Sequence, residues 1–353
     1  MTAAHGNHSL RVASATATLL IACTDTPTSP VQTPAERPLL FYSEIGVPTY
    51  TFDIFVSKPD GTDPINLTSN PAADADPSWS RDGKQIVFTS DRSGAFEIYS
   101  MQSDGSDVRR LTTDGAAYTV TAASAYSSPR FSPDSKKIAF VGRRDGTPLV
   151  GQGFYGAKRT DIYVMNPDGS GIVNITRTPD AQEFYPAWSP DGTKVAYLRV
   201  EYGLMTDEIS ARSVPTTFLI YIANADGSNA HPFHAIDPRW SDDAPAWSPD
   251  GNKIAYSAYD LHHPDYIQGW SIFVANADGS GSTRVTPEQG YYSRFPAWSP
   301  DGSKIFYSIS SDEFWGRYTI GLAVINADGS DNHSLVWQPD RHAVVGSPDA
   351  WTR

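Results

Sequence analysis

The chain has 353 residues, 39% of them hydrophobic and 12% aromatic, which is ample material for a core and more than one ordinary small domain needs. Its formal net charge of -13 argues against a nucleic-acid binder, because such proteins use basic surface to displace phosphate counterions. A single cysteine excludes an internal disulfide.

Residues 1–22 read as a secretory leader, in which Arg11 precedes the apolar run ATATLLIA. Leu20-Ile21-Ala22-Cys23 resembles the lipobox of bacterial lipoprotein signal peptides, whose cysteine is lipidated and becomes the first mature residue. That resemblance implies a membrane anchor at Cys23 and a place in the bacterial cell envelope, facing the periplasm or the cell surface. Residues 23–38 are rich in Pro and Thr and poor in large apolar side chains, the composition of an extended tether. No later run reaches the roughly 18 apolar residues that a spanning helix needs, so no transmembrane helix is expected in the mature chain.

From Leu39 onward the sequence repeats itself. A unit P-x-W-S-P-D-G-x-K-I-x-Y/F-x-S, a variable stretch, and then I-Y-V-x-N-x-D-G-S-x-x-x-x-L-T recurs. Its aromatic marker falls at Trp79, Phe131, Trp188, Trp247, Trp298 and Trp351, spaced 52, 57, 59, 51 and 53 residues apart. Each unit carries four β signals: a strand around the marker, an alternating strand such as TKVAYLR, a third such as DIYVM, and a fourth such as VNIT. SPDG has the chemistry of a type I turn, and DGS that of a hairpin turn between strands three and four. Eleven aspartates sit in these turns, so much of the acidity is turn chemistry.

Four-stranded antiparallel sheets repeated radially are the blades of a β-propeller, an all-β fold. WSPDG followed by IAF or IAY and then IYVMNPDGS resembles the WD-repeat-like propeller repeats of the TolB family, over essentially residues 39–353. The resemblance implies the propeller alone. TolB carries an α/β domain ahead of its propeller that the short tether here cannot supply, so TolB's partner is not carried over.

LLFYS, FDIFVSKPDG and PINLT, between Leu39 and Thr68, supply strands two, three and four of a first blade. The terminal DAWTR supplies its missing first strand, so the ring is expected to close as six blades and to leave no exposed sheet edges there. The marker tryptophans are expected to pack between blades.

The two faces of this propeller differ in sequence. The one-to-two and three-to-four turns are short and nearly identical, whereas the two-to-three links and the inter-blade links are long and different every time. Functional residues concentrate in loops on a rigid scaffold. The candidates for binding on this variable face are Tyr155, Tyr185, Trp240, His262, His263, Tyr266, Tyr291, Tyr292, Arg294 and Trp315, with Tyr202, Trp270, Arg159, Arg239 and Arg317 of the same chemistry. Flat amphipathic rings and forked guanidinium groups suit recognition of a protein segment or a carbohydrate. Arg130 is a further candidate, because it stands where five units have Ser or Ala before the marker, and it is expected to reach a carboxylate or the channel.

His262 and His263 with Asp265, and His231 with His234, are the groups that resemble metal ligands. Adjacent His262 and His263 point opposite ways on a strand, and both groups read as rim histidines, so no metal and no cofactor is expected. There is no G-x-S-x-G elbow and no hydrolase domain after the ring, and no catalytic residue is assigned. The expectation is therefore a lipid-anchored, non-enzymatic binding module or scaffold. The alternative is a metal-assisted oligosaccharide lyase or hydrolase, since some propellers with related repeats are pectin-fragment lyases with a His-rich metal site.

Overall fold

The computed structural model describes residues 39–45, 51–58, 60, 62–113, 128–143, 160–179, 181–207, 210–234, 240–260, 270–287, 292–310 and 320–337. All regular structure among them is β, in six antiparallel sheets. The first sheet holds β1 (Leu39–Ile45), β2 (Thr51–Ser57) and β3 (Ile65–Asn66), and the second β4 (Asp74–Trp79), β5 (Gln85–Ser90), β6 (Glu97–Gln102) and β7 (Arg109–Arg110). The third holds β8 (Arg130–Phe131), β9 (Ile138–Arg143), β10 (Thr160–Met165) and β11 (Val173–Asn174). The fourth holds β12 (Ala181–Trp188), β13 (Lys194–Asp207), β14 (Ser210–Asn224) and β15 (His231–Pro232). The fifth holds β16 (Trp240–Trp247), β17 (Lys253–Asp260), β18 (Ser271–Asn276) and β19 (Thr283–Arg284). The sixth holds β20 (Tyr292–Trp298), β21 (Lys304–Ser310), β22 (Ile320–Asn326) and β23 (His333–Trp337). Five sheets thus have the expected four strands; the strand expected to complete the first, around Trp351, lies outside the described residues.

The sheets are held by apolar layers between neighbours. Ile54, Trp79 and Phe88 join the first sheet to the second, Val87, Ile98 and Phe140 the second to the third, and Val141, Ile162 and Tyr197 the third to the fourth. Ile220 packs with Tyr256, Ile272 with Tyr307, and on the last junction Phe55 of β2 lies against Phe306, Leu322 and Val324 of the sixth sheet. The last contact brings the two ends of the sheet series together. Burying side chains of this size contributes roughly 1.5 to 3 kcal/mol each.

First strands touch one another in turn, β4 to β8, β12, β16 and β20, and form an inner ring. Trp79 and Trp298 are buried, and Trp188 and Trp247 pack partly buried against neighbouring cores, as expected of the markers. Fourth strands are two residues long in five sheets and mostly exposed, so burial falls from the ring outward. Four first strands carry a bulge three to two residues before the marker tryptophan. There the residue ahead of the proline has a left-handed backbone: Asp76 (φ 51), Tyr185 (52), Ala244 (38) and Phe295 (56), with Ser128 (37) at the same place before Phe131. Residues before proline prefer extended backbone, and a positive φ is costly without glycine, so the ring holds this conformation against local preference.

The turn face is built by side-chain capping. In the SPDG turn of the fourth sheet, Ser189 Oγ donates to Asp191 Oδ1 (2.6 Å), as does Thr193 N–H (3.0 Å), and Lys194 N–H donates to Ser189 Oγ (2.9 Å). In its DGS turn, Ser228 donates to Asp226 Oδ1 through both N–H (2.9 Å) and Oγ (2.7 Å). Hydroxyl and backbone N–H donors of this kind hold all eleven turn aspartates below the usual carboxylate range.

The SPDG turns also nest around the ring. Two repeats depart from the pattern, with Arg81 in place of proline and Ser135 in place of glycine, and these two residues meet: Arg81 N–H donates to Ser135 Oγ (2.7 Å). Proline has no N–H to offer, so the two departures compensate one another.

Candidate functional site

Strand one begins, and strand three begins, on the face opposite the SPDG and DGS turns. The candidates that the structure describes there are Tyr185, Trp240, Tyr292 and Arg294, while Tyr155, His262, His263, Tyr266, Tyr291, Trp315 and Cys23 lie outside the described residues. Trp240 opens β16 opposite Asp260, and Tyr292 opens β20 opposite Ser310, which sets both at the variable end of their strands.

Arg294 is the centre of a cluster. Its guanidinium carbon lies 4.8 Å from the ring centre of Trp270 and 4.9 Å from that of Phe295. Ser293 N–H donates to Trp270 O (2.7 Å), which ties β20 to the start of β18. Trp270 in turn lies 6.0 Å from Tyr259, and Phe295 meets Tyr185 edge to face at 5.5 Å, with Phe184 next at 6.2 Å from Tyr185. A continuous track of rings and one cation therefore runs from Tyr259 on the fifth sheet to Phe184 on the fourth. Stacking occupies the faces of a guanidinium and directs its donors along the ring plane, an arrangement suited to carboxylate and carbonyl acceptors. Phe295 and Tyr259 were not among the sequence candidates; Phe295 occupies the variable position ahead of the proline, which is the signal that marks it.

Beneath the same face lies a set of buried carboxylates that the sequence reading missed. Asp74 and Glu183 both stand five residues before a marker tryptophan. Asp74 accepts from Arg92 Nη2 (2.8 Å), and that guanidinium lies 5.2 Å from the Phe88 ring and 5.1 Å from the Tyr99 ring. Glu183 accepts from Arg199 Nε (3.2 Å) and Thr178 Oγ1, with the Arg199 guanidinium 3.9 Å from the Tyr221 ring. Asp53, Glu97 and Asp161 occupy the start of strand three in the first three sheets and accept from Asn66 (2.5 Å), Arg110 (2.8 Å) and Asn174 (2.7 Å). Burial, reinforced by neighbouring Asp161, pushes the Glu183 carboxyl up to about 7. The acidic residue five before the marker was the available signal.

The long link expected between strands two and three of the fourth sheet is not an open loop. β13 and β14 continue past Tyr202↔Pro215 to Asp207↔Ser210 as a two-stranded ribbon.

Arg130 is buried and lines the central channel. Its Nη1 donates to Pro129 O (2.7 Å), and its charge acts on Asp76, whose carboxyl burial nonetheless pushes up to about 6. His231 and His234 do not combine: His231 is exposed at the outer edge, while His234 packs 5.9 Å from Tyr256. Among the described residues no group of three His, Cys, Asp or Glu could hold a metal, and no helix is long and apolar enough to cross a membrane.

Residues 28–127 match the TolB beta propeller domain family. The Tol-Pal system protein TolB of Francisella tularensis is 24% identical over 306 residues, covering 85% of this chain and 59% of that protein. The crystal structure of TolB from Acinetobacter baumannii superposes with a TM-score of 0.62 at 18% identity, over 89% of this chain and 66% of the other. This is a TolB-like β-propeller. An oligogalacturonate lyase from Vibrio parahaemolyticus shares the fold more distantly, with a TM-score of 0.51 at 15% identity over 85% of this chain and 73% of that one. The TolB-like propeller spans well under two thirds of the curated relatives it matches first.

Proposed function

We propose that this protein is a cell-envelope binding module whose TolB-like propeller captures a segment of another protein on its variable face. The observation that carries the reading is Arg294 held between Trp270 and Phe295, on a track of aromatic rings at that face. Such a site offers stacking area with little side-chain entropy to lose and one fixed cation for an acceptor on the partner. The likeness to TolB, a protein named for the Tol-Pal system, supports the envelope as the setting. Membrane attachment through a lipid on Cys23 belongs to the same reading.

The test is capture from envelope extracts by the full chain, compared with the Trp270→Ala/Arg294→Ala variant. Loss of the captured protein, with the melting temperature lowered by only a few degrees, is the expected result. Unchanged capture would overturn the assignment, and capture that survives protease treatment but not glycosidase treatment would make the partner a carbohydrate. Cys23→Ala is expected to move the protein from the membrane to the soluble fraction; a wild-type protein that is already soluble and carries no lipid would refute the anchor.

A further inference from the structure

The channel holds a cavity of about 230 Å³ on the turn side of the Tyr185–Phe295 contact, away from the face considered so far. Its wall is formed by the inner strands and the SPDG turns, with Trp188, Trp247, Trp298 and the turn prolines providing flat apolar surface. Two cations belong to it. Arg81 is exposed and donates through Nη1 to Pro133 O (3.3 Å), which holds it at the turn-side rim. Arg130 is 5% exposed and lies inside. Every other described first strand has Ser or Ala at that position, so the third sheet alone places a cation there.

The indole donors give an independent signal. Trp188 Nε1–H donates to Arg130 O (3.2 Å) and Trp298 Nε1–H to Ala246 O (3.1 Å), each capping the carbonyl one residue before the marker of the preceding sheet. Trp247, between them in the ring, breaks this rule: its Nε1–H is buried and has no acceptor. A buried donor without an acceptor is unfavourable, and an acceptor brought by a ligand relieves it.

We propose that this cavity is a second binding site, separate from the variable face, that takes a carboxylate carried on a small apolar stem and entering from the turn side. Arg130 is its cationic partner, Trp247 Nε1–H is a donor to it or to the adjoining carbonyl, and Arg81 guides it at the rim. The stem lies against the indoles and prolines. The volume equals the share of roughly eight waters at about 30 Å³ each, space for a carboxylate on a single-ring or short alkyl stem. Such a carboxylate comes either from a free organic acid or from the C-terminus of a polypeptide, and the experiment separates the two.

Full-length protein labelled with 15N at the tryptophan indoles is titrated with 3-phenylpropionate, with 3-phenylpropionamide, and with a hexapeptide ending in Phe as its free acid and as its amide. The Trp247 indole resonance, assigned by its loss in Trp247→Phe, is expected to move with at least one free acid and with neither amide. If only the peptide acid moves it, the natural ligand is a chain end; if only 3-phenylpropionate does, it is a small acid. Arg130→Gln should weaken binding tenfold or more, with Arg130→Lys recovering part of the loss. Arg81→Gln, at an exposed position where folding is not at issue, should weaken it several-fold. A Trp247 resonance unmoved by either acid at millimolar concentration, or moved equally by acids and amides, overturns the proposal, as does unchanged affinity in Arg81→Gln and Arg130→Lys together.

Discussion

Tyr185 and Phe295 belong to sheets two apart in the ring, yet their side chains meet edge to face, with ring centres 5.5 Å apart and planes at 68°. Each projects from a left-handed residue ahead of a proline, so the same backbone device on β12 and β20 aims both rings inward. Ala244, at the equivalent place between them, leaves the room they use.

Because this contact links sheets that share no strand pairing, its energy is separable. A double-mutant cycle with Tyr185→Ala and Phe295→Ala should give a coupling of roughly 0.5 to 1.5 kcal/mol in urea unfolding, the range for aromatic pairs. Additive single effects would show that the rings do not support one another.

Gly227 has φ 85, and a Cβ there would lie 1.8 Å from Ile175 O on the preceding sheet. Gly83 has a similar φ of 68 but open space around it. Gly83→Ala should therefore cost about 1 kcal/mol, the price of a left-handed alanine, and Gly227→Ala several times that, because sheet four must move away from sheet three. Equal losses for the two variants in thermal melts would contradict the close approach.

Two sets of carboxyls act on stability in opposite directions. The turn aspartates have lowered folded values, so their contribution is present above about pH 4 and is lost as pH falls through those values. Glu183, at about 7, and Asp76, at about 6, have raised values, so their contribution is full below the unfolded values of 4.5 and 3.8 and is lost as pH rises through 6 to 7. The melting temperature should peak near about pH 5 and decline toward pH 8. Glu183→Gln should flatten the decline on the alkaline side; a melting temperature that rises steadily from pH 5 to 8 would refute the role of these two groups.

Arg81 and Ser135 replace a proline and a glycine of the turn pattern and bond to each other. Restoring one partner breaks the hydrogen bond, while restoring both reinstates the arrangement of the other turns. The double variant Arg81→Pro/Ser135→Gly should be more stable than Arg81→Pro alone by about 1 kcal/mol or more, since it also relieves the left-handed serine at φ 56. A double variant no more stable than the single one would show that the two sites are independent.

The repeat made most of this architecture readable in the sequence. Marker spacing, the SPDG and DGS turns and the alternating KVAY-type strands specify the sheets, their order and the difference between faces, because each depends on local periodicity and turn chemistry. The bulges were hidden for the same reason: at Tyr185 and Phe295 the residue before proline adopts a conformation that local preference disfavours, and only the closed ring imposes it. Arg294 and Tyr185 were found among the candidates by residue type, but the track that joins them depends on contacts between separate sheets. Asp74 and Glu183 went unnoticed because an acidic residue early in a strand reads as exposed until its arginine is located in space.

The bond from Arg81 to Ser135 also bears on how such a chain can be inherited. Repeats with a common pattern invite duplication and exchange by recombination, and most of these units would find a compatible neighbour wherever they landed. The second and third would not. Separated, one would leave its Arg81 N–H to water beside a glycine, and the other would set a serine against a proline, so these two units are matched to one another as a pair.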